Sequence, residues 1–332
     1  MLGRVRPIHA NVTVSSFPSI TTRPTDRILI VPTVASETAH RMDLWRRLGS
    51  ERDNLEPQAL RDLGIYGGAQ GIWVDKTRTA GDEIGPAGAT VAILHTGRHY
   101  PDDLADDGMI YHYPTTSRHA GRDAAEVQAT KTAMDLRLPI FVILPGKTSS
   151  AKRSVKLGWV SDFDDDNRQF LILFGTDDRP VYAKPEAGNS PFQLLGKDNR
   201  RKGTSKVRPG QSTFRFHVMS RYGQKCAVCE IRHPLLLIAA HICGKAATGS
   251  DDWRNGIPLC ATHHIAFDNY LFAIDPDTAM ISCQSGVIAI EIGLCEESLR
   301  TIKNRPHVEA LKWRWMATQK VWNSGGEKVP CA

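Results

Sequence analysis

Cysteine and histidine residues in the second half of the chain are spaced as metal ligands. Cys226 and Cys229 are separated by two residues, and Cys260 and His263 repeat that spacing. Zinc prefers a tetrahedral set of thiolate and imidazole ligands, which two such pairs supply. Because four protein ligands leave no open position for water or substrate, we expect a structural Zn²⁺ site. The alternative is a pair of buried cysteine clusters without metal.

A second set of polar residues is interleaved with these ligands and consists of His241, Asn255, His264 and Asp268. Types and spacings together resemble the HNH nucleases of the ββα-metal group, over roughly residues 213–275. The resemblance implies that His241 is the general base that activates water and that Asn255 orients the hairpin loop and the base. A neutral imidazole near pH 7 suits the task of a base.

The HNH resemblance also implies a catalytic metal ion. His264 matches a ligand of the divalent cation, and Asp268 follows one helical turn later, so both side chains reach one Mg²⁺ or Mn²⁺ ion. Such an ion neutralises charge on the scissile phosphate and on the leaving 3′ oxygen. Many family members place Asp or His before the base, whereas this chain has Ala240. We therefore expect fewer protein ligands, with water completing the shell. In the alternative, both histidines only pack or hydrogen-bond.

The segments around this stretch divide the chain into two folded parts. A chain of 332 residues exceeds the usual size of one hydrophobic core, so two domains are expected. Residues 196–212 lack apolar periodicity, and residues 197–208 carry six basic residues against one acidic residue, which predicts a basic linker. We expect a flexible leader over 1–25, a first domain over 26–195, and a nuclease domain over 213–332 that ends in a helix.

The first domain has the sequence pattern of a β-rich fold. One helix is expected over about 124–135, and an earlier one over 38–63 with a break near Pro57. The predicted fold class is α+β, with a mainly β, curved-barrel N-terminal domain and a zinc-stabilised ββα-metal C-terminal domain. Short apolar runs separated by Gly, Pro and Asp clusters predict strands at 71–74, 89–94, 140–144, 157–160 and 170–174.

Part of the first domain resembles a family of DNA readers. The resemblance is carried by residues 64–68, 88–97, 100–103 and 108–113. They are similar to the SET- and RING-associated (SRA) domain, an SRA/PUA-like fold. The similarity spans about residues 26–195, is clearest over 64–145, and is looser than the HNH match. SRA domains read modified cytosine by flipping it out of duplex DNA.

The SRA resemblance implies a pocket for the flipped base. In the family, two tyrosines sandwich the ring, and Tyr100 and Tyr113 occupy those places. Asp103 matches the carboxylate that accepts a hydrogen bond from the exocyclic amine of cytosine. Aromatic faces restore the stacking that flipping removes, and an acidic acceptor favours cytosine over thymine. The alternatives are ordinary sheet tyrosines and a solvated acidic turn.

Other residues near the pocket leave its details open. The spacing after Asp103 is one residue longer than in the family, so Asp102, Asp106 or Asp107 is an alternative reader. Gln70 follows a glycine turn and is a candidate for the space that the base vacates. Basic residues that could contact phosphate, or that are plain surface residues, flank the pocket or lie in the linker. They are Arg98, Arg118, Arg122, Arg200, Arg201 and Lys202.

Composition narrows the classes of partner and compartment. The net charge of +6 is compatible with a polyanionic partner. No apolar run approaches the ~18 residues of a membrane span, so no membrane partner is expected. The seven cysteines are an odd number, and three of them stand in short-range metal-type pairs, which argues against a disulfide framework. A reducing cytoplasm is the expected location.

A modified-base reader joined to an HNH domain resembles the type IV, modification-dependent restriction endonucleases. The resemblance implies base flipping and cleavage of double-stranded DNA that contains 5-methylcytosine or 5-hydroxymethylcytosine. A homodimer would let two HNH domains cut both strands, although no pattern marks a dimer interface. One alternative is an HNH nuclease for phosphorothioate or for a glucosylated base. Another, motivated by Ala240, is a catalytically degenerate zinc-containing DNA-binding protein.

Overall fold

The structure of the protein is a computed structural model. It describes most of the chain, and the helices and strands given below lie in the described part. The expected leader and residues 197–209 of the expected linker lie outside this part. None of the helices described is long and apolar enough to cross a membrane. The described residues are 33–68, 71–96, 103–116, 121–147, 149, 151–182, 191–196, 210–299, 302 and 304–324.

A curled six-stranded sheet is the framework of residues 33–182, which we call the sheet module. The strand order is β1-β2-β4-β5-β6-β3, and only β2 and β4 pair in parallel. A Cβ on Gly71 in β1 would lie 3.6 Å from the hydroxyl of Tyr111 in β3, so the outer strands curl towards each other into a half-barrel. The strands are β1 (Gly71–Val74), β2 (Thr90–Leu94), β3 (Gly108–His112), β4 (Ile140–Pro145), β5 (Arg153–Asp164) and β6 (Gln169–Gly175).

Helices cover both faces of this sheet. Strand β4 is apolar at successive positions because Phe141 and Ile143 pack in one core with Leu44, while Ile140 and Val142 pack in a second core with Ala133. Leu44 and Ala133 belong to the long helices α1 and α4. The helices of the sheet module are α1 (Val34–Leu48), α2 (Pro57–Asp62), α3 (Lys76–Thr79) and α4 (Arg122–Asp135).

One buried cation ties α1 to the sheet. Arg41 is fully buried, and its Nη1 donates to the carbonyl oxygens of Thr90 and Pro139, each at 2.7 Å. Its Nε donates to Glu37 at 2.6 Å. Burial lowers the pKa of Arg41 to about 10, so the guanidinium stays protonated at neutral pH. The charge is tolerated because these acceptors replace its hydration.

A β-hairpin followed by a helix forms the centre of the nuclease module, which comprises residues 191–196 and 210–324. Strands β7 and β8 are antiparallel, and helix α6 follows directly, as expected for a ββα motif. A second hairpin, β9 and β10, and the C-terminal helix pack on the same core. The elements are α5 (Gln211–Tyr222), β7 (Leu237–His241), β8 (Gly256–Cys260), α6 (Ala261–Asp268), β9 (Phe272–Ile274), β10 (Ile281–Cys283) and α7 (Val308–Asn323).

Helix α5 contacts both modules. Phe216 packs with Ile110 and Leu171 of the sheet, while Phe214 and Val218 belong to the core of the nuclease module. The approach to β8 is close, since a Cβ on residue 256, a glycine, would lie 2.4 Å from a methyl carbon of Val218. The helix is therefore the element through which the two modules pack.

An aspartate of the sheet module holds the beginning of α5. Gly210 precedes the helix and has no side chain to cap it. Asp107 accepts hydrogen bonds from the backbone N–H of Gly210 at 2.6 Å and from the hydroxyl of Ser212 at 3.0 Å. A carboxylate at this position satisfies an otherwise unpaired donor and complements the helix dipole.

The observed elements agree in kind with the predicted α+β class. Strands are present at all five predicted places, and β5 extends beyond its predicted limits. Strand β3 was not predicted as a strand. The helix expected over 38–63 ends earlier than Pro57, at Leu48, because Gly49 adopts a positive φ of 50° and a 3₁₀ turn follows. Identity with the SRA/PUA fold stays a prediction.

The segment 191–196 packs against the nuclease module. The backbone N–H of Ser250 donates to the carbonyl of Leu194 at 3.0 Å, and that of Gly196 donates to the carbonyl of Thr248 at 2.8 Å. The ring of Phe192 stacks on that of His307 with centroids 3.8 Å apart. These residues were expected at the end of the first domain and in the linker, and the predicted domain limits at 195 and 212 stay predictions.

Candidate active site

Four buried ligand residues meet beside the β7–β8 hairpin, with their ligand atoms within 4.8 Å of one another. The Sγ of Cys260 lies 3.0 Å from Nδ1 of His263 and 4.0 Å from the Sγ of Cys229, and the Sγ of Cys226 lies 3.6 Å from the same Nδ1. These separations suit one tetrahedral ion with bonds of about 2.0–2.3 Å. In the described part of the chain, this is the one metal-type group of three or more such residues.

The chemistry of this cluster also fits a cation. Burial raises the pKa of the Cys226 thiol to about 12 and also raises that of Cys229. Thiolates form in such surroundings when a positive ion compensates their charge. Burial lowers the pKa of His263, although nearby backbone groups of Ile292 and Gly293 oppose it, which favours the neutral imidazole that ligates zinc. The cluster could therefore hold a structural zinc ion.

His241 is the last residue of β7 and lies opposite Gly256 in β8. Because successive side chains of a strand point to opposite faces, Ala240 is buried in the core while His241 is partly exposed. The ring of Phe214, from α5, stacks on the imidazole with centroids 3.8 Å apart and planes 5° apart. The imidazole plane is thus held by an aromatic face.

Asn255 organises the loop between the two strands. Its side chain is fully buried; Oδ1 accepts from the backbone N–H of Cys243 at 2.9 Å, and Nδ2 donates to the carbonyl oxygens of Cys243 and Ser250 at 3.1 and 3.0 Å. The loop also requires Gly249, where a Cβ would lie 1.8 Å from the carbonyl oxygen of Cys243. These contacts hold both ends of the loop that follows His241.

Two residues of this loop that sequence reasoning did not identify lie beside His241: Asp251 contacts its imidazole, and Lys245 contacts Asp251. Oδ1 of Asp251 lies 3.0 Å from Nε2 of His241, and Nζ of Lys245 lies 2.6 Å from Oδ2 of Asp251. Partial burial acts to raise the pKa of the Asp251 carboxyl, but the hydrogen bonds from His241 and Lys245 outweigh it and hold that pKa below its usual value. No sequence spacing marks these residues, because the loop fold brings them to His241.

Helix α6 directs the side chains of the adjacent residues His263 and His264 into different surroundings. A helix turns by about 100° per residue. His263 points into the buried cluster and is 2% exposed, whereas His264 is partly exposed, with Nε2 3.3 Å from Oδ2 of Asp268. The second pair presents an imidazole nitrogen and a carboxylate oxygen on one helix face. That donor set suits a divalent cation such as Mg²⁺ or Mn²⁺.

One cleft of about 650 Å³ is lined by His241, His264 and Asp268. Arg215 of α5 and Trp313 of α7 also line it. A candidate base and a candidate cation site therefore open onto the same space, which is large enough for a sugar-phosphate segment. The sequence predicted a C-terminal helix but not that this helix lines the cleft.

Ala240, which precedes His241, has no side-chain group that could bind a metal ion. Ala240 is 1% exposed and packs in the core. Within the described residues, no third His, Cys, Asp or Glu brings a ligand atom within 4.8 Å of both His264 and Asp268. An ion held by these two residues would complete its shell with water and phosphate oxygens, as Mg²⁺ commonly does.

Asp103, the predicted reader of cytosine, lies at the contact between the modules. Its side chain is 3% exposed; Oδ2 lies 2.8 Å from Nε2 of His112, and Oδ1 accepts from Nε of Arg215 at 3.2 Å. Arg215 is a residue of α5, and its Nη1 donates to the carbonyl oxygen of Leu237, where β7 begins, at 2.7 Å. Both oxygens of Asp103 are therefore engaged within the fold.

Tyr113, a predicted wall of the base pocket, packs in the core of the sheet module. It is 7% exposed, and its ring lies on that of Phe170 with centroids 4.5 Å apart. Its hydroxyl donates to Asp165 at 2.9 Å. Burial, together with that hydrogen bond, raises the pKa of Tyr113. A base could stack on this ring only after a local rearrangement.

The other predicted contacts with DNA are described in part. Arg122 is exposed at the start of α4, with Nε 3.4 Å from Glu126, and Asp106 is exposed beside Asp107. The base pocket and the phosphate contacts stay predictions. The residues predicted for them that lie outside the described part of the chain are Gln70, Arg98, Tyr100, Asp102, Arg118, Arg200, Arg201 and Lys202.

Comparison with known families assigns the hairpin and helix. Residues 226–275, which contain the Cys/His cluster, His241, Asn255, His264 and Asp268, match the HNH endonuclease family. This part of the chain is an HNH endonuclease domain. The protein is accordingly a metal-dependent DNA endonuclease. HNH nucleases use divalent metal ions.

Comparison with solved structures found resemblances at low similarity. The modification-dependent TagI restriction endonuclease is 19% identical, over 80% of this chain and 91% of that chain, with a TM-score of 0.29. The type IV phosphorothioation-dependent restriction endonuclease ScoMcrA is 12% identical, over 86% of this chain and 68% of that chain, with a TM-score of 0.26. No curated protein sequence matches the chain.

Proposed function

We propose that the protein is a modification-dependent restriction endonuclease that cleaves double-stranded DNA containing 5-methylcytosine or 5-hydroxymethylcytosine. The observation that carries the proposal is the HNH cleft, in which His241 lies with the His264 and Asp268 pair, joined through α5 to a separate curled sheet. In this proposal the HNH cleft cuts the DNA and the sheet module recognises the modified base.

In the proposed reaction, His241 acts as the general base. The oxygen of a water molecule attacks phosphorus, its proton passes to the imidazole, and the bond from phosphorus to the 3′ oxygen breaks. The 3′ oxygen leaves with a proton from solvent, so the products carry a 5′-phosphate and a 3′-hydroxyl. Phe214 keeps the imidazole plane fixed, and Asn255 keeps the adjoining loop closed. Such preorganisation lowers the cost of reaching the reactive geometry.

We assign the catalytic cation to His264 and Asp268 and a structural zinc ion to Cys226, Cys229, Cys260 and His263. When bound, the catalytic cation would neutralise charge on the phosphate and on the leaving oxygen. His264 and Asp268 would hold that cation on the side of the shared cleft that faces His241. The Cys/His cluster joins Cys226–Cys229 to the end of β8 and to the start of α6, the helix that carries His264 and Asp268.

For recognition, we propose that Tyr100 and Tyr113 stack on a flipped cytosine and that Asp103 accepts from its exocyclic amine. Asp103 is bonded to Arg215 and His112 in the free protein. Reading the base therefore requires this carboxylate to exchange Arg215 for the cytosine amine. Stacking by aromatic faces, worth about 1–3 kcal/mol per base, would offset part of that cost.

This exchange would couple recognition of the modified base to cleavage of the DNA. Arg215 also holds the start of β7, the strand that ends at His241, and α5 carries Phe214 against the same histidine. Release of Arg215 by modified DNA would therefore change the restraint on the element that carries the base. Unmodified DNA, which is not flipped into the pocket, would leave the restraint in place.

A digestion panel tests the proposed function. Plasmids of one sequence, carrying plain cytosine, 5-methylcytosine, 5-hydroxymethylcytosine, glucosylated cytosine or phosphorothioate, are incubated with the protein and Mg²⁺ or Mn²⁺. We expect cleavage of the methylated and hydroxymethylated plasmids only. The His241→Ala variant should bind these plasmids and leave them intact, which excludes a contaminating nuclease.

Other outcomes of the panel select the alternatives. Cleavage restricted to phosphorothioate or glucosylated DNA would assign the sheet module a different modification. Binding of modified DNA without cleavage in either metal would identify a zinc-containing DNA-binding protein whose chemistry is degenerate. Equal cleavage of all plasmids would contradict dependence on modification.

A further inference from the structure

Asp251 is the residue that contacts the base most directly and that neither its position nor its spacing in the sequence assigns to the HNH site. Its Oδ1 lies 3.0 Å from Nε2 of His241, and about a third of its side chain (34%) is exposed. Within the described residues, no hydrogen bond is made to Nδ1 of His241. The two ring nitrogens are therefore in different surroundings.

The hydrogen bond to Asp251 determines which ring nitrogen carries the proton. Asp251 is an ionised carboxylate at neutral pH, since its pKa is lowered by its contacts with His241 and Lys245, and an ionised carboxylate can only accept hydrogen bonds. Nε2 of a neutral His241 must then carry the hydrogen. Nδ1 is left with a lone pair, which is the form that can take a proton from water.

Lys245 restricts the orientation of the Asp251 carboxylate, and Phe214 restricts that of the His241 ring. Nζ of Lys245 lies 2.6 Å from Oδ2 of Asp251 and so holds the carboxylate at its second oxygen. Phe214 stacks on His241 with planes 5° apart, which restricts rotation of the ring. Gly210 also approaches, because a Cβ there would lie 3.3 Å from Oδ2 of Asp251. The carboxylate is thus placed between the hairpin loop and the start of α5.

We propose that Asp251 is a positioning residue that holds His241 in the tautomer protonated on Nε2, so that Nδ1 accepts the proton of the attacking water, with Lys245 orienting Asp251. The proposal rests on the proposed function for the role of His241 as the base. During the reaction the proton from water adds to Nδ1, and the carboxylate stabilises the resulting imidazolium through Nε2–H.

The neighbouring aspartate provides a matched control. Asp252 faces away from the base: its Oδ2 bonds to Nη2 of Arg254 at 2.7 Å, and its Oδ1 accepts from the backbone N–H of the same arginine at 2.9 Å. An Asp252→Asn variant removes one negative charge from the same loop without touching His241. A loss of activity in Asp251→Asn that is absent in Asp252→Asn therefore reports the contact with the base.

The experiment compares wild type, Asp251→Asn and Asp252→Asn as full-length proteins. Nitrogen NMR of ¹⁵N-histidine protein, with His241 assigned by the His241→Ala variant, reports the tautomer of the free protein. Single-turnover cleavage and DNA binding are measured on whichever plasmid the wild type cleaves. We expect the Nε2–H tautomer in wild type and in Asp252→Asn. In Asp251→Asn we expect mixed tautomers, cleavage slower by about 10- to 100-fold, and unchanged DNA affinity.

Several outcomes would overturn the proposal. A wild-type His241 protonated on Nδ1 at neutral pH would do so without any variant, as would cleavage by Asp251→Asn within twofold of wild type. If the melting curve shows that Asp251→Asn is unfolded, Lys245→Gln is the second variant. We expect it to lose less cleavage activity than Asp251→Asn would, and unchanged cleavage by Lys245→Gln would count against the proposal. If wild type cleaves no plasmid, the proposed function fails, while the NMR result still decides whether Asp251 sets the tautomer.

Discussion

At the scale of single residues, neighbouring side chains of the HNH domain lie in different surroundings. His263 and His264 are adjacent, yet one is buried among three cysteines and the other lines the cleft beside Asp268. Similarly, Asp251 bonds to the candidate base while Asp252 bonds to Arg254. The function of each residue follows from the direction of its side chain and from the partner it meets.

The adjacent histidines allow a matched pair of substitutions. His263→Ala should release zinc and lower the melting temperature, as should Cys229→Ser, because structural zinc contributes directly to folding free energy. His264→Ala should keep the zinc content and the melting temperature of wild type but reduce cleavage by at least 100-fold. Metal analysis, thermal melts and plasmid digestion measure the three quantities.

Two results would contradict these assignments. Unchanged metal content in both His263→Ala and Cys229→Ser would show that the cluster holds no zinc. Normal cleavage by His264→Ala at saturating Mg²⁺ would remove that residue from the catalytic cation site. The comparison is internally controlled, because both histidines belong to one helix of eight residues and lose the same group.

At the scale of elements, α5 links the sheet module to the HNH site. Its N-terminus is held by Asp107 of the sheet module, its middle carries Phe214 and Arg215, and both of these residues reach the hairpin. The helix is therefore restrained at its first turn and is in contact with His241. For this reason α5, which lies before the HNH match, belongs functionally with the site.

Asp107 and Asp106 provide a matched test of that restraint. Asp107→Ala should reduce the free energy of unfolding by about 1 kcal/mol, as loss of a helix cap does, because Gly210 and Ser212 lose their acceptor. Asp106→Ala, at an exposed neighbouring position, should leave stability nearly unchanged. Denaturant unfolding measures both variants, and equal stabilities for the two would argue against the cap.

At the scale of the whole molecule, the two modules share a buried ionic contact, although Asp103 and Arg215 are 112 residues apart in sequence. The contact lies where the predicted base pocket meets the helix that positions His241. Substituting each partner alone therefore tests the proposed recognition of modified DNA separately from its cleavage. The net charge of +6 adds general attraction to DNA, which weakens as salt increases.

Substitution of each partner should have a different effect. Asp103→Ala should erase the difference in affinity between modified and plain duplexes, because the proposed acceptor for cytosine is lost. Arg215→Gln should keep that difference while changing the rate of cleavage, because it leaves Asp103 in place and frees the start of β7. Competitive binding and single-turnover digestion on matched duplexes measure the two effects. Intact discrimination in Asp103→Ala would move the reader to Asp102, Asp106 or Asp107.

Much of the HNH site could be predicted because its signals are local. The two-residue spacings of Cys226 with Cys229 and of Cys260 with His263 suit one ion in any fold that brings the pairs together, and a helical turn joins His264 to Asp268. The strand runs were likewise readable, since strands covered on both faces are continuously apolar. Strand β3 was missed because its run is short and includes polar residues.

The sequence by itself predicted the candidate metal ligands, the candidate base and a β-rich part before an HNH domain, because each of these predictions depends on residue type and short spacing. Only the tertiary structure showed that Asp251 contacts His241 and that Lys245 contacts Asp251. It likewise showed that Phe214 stacks on His241 and that Asp103 accepts a hydrogen bond from Arg215. Loop closure and helix packing bring these partners together, and such long-range contacts leave no periodic trace in a single chain.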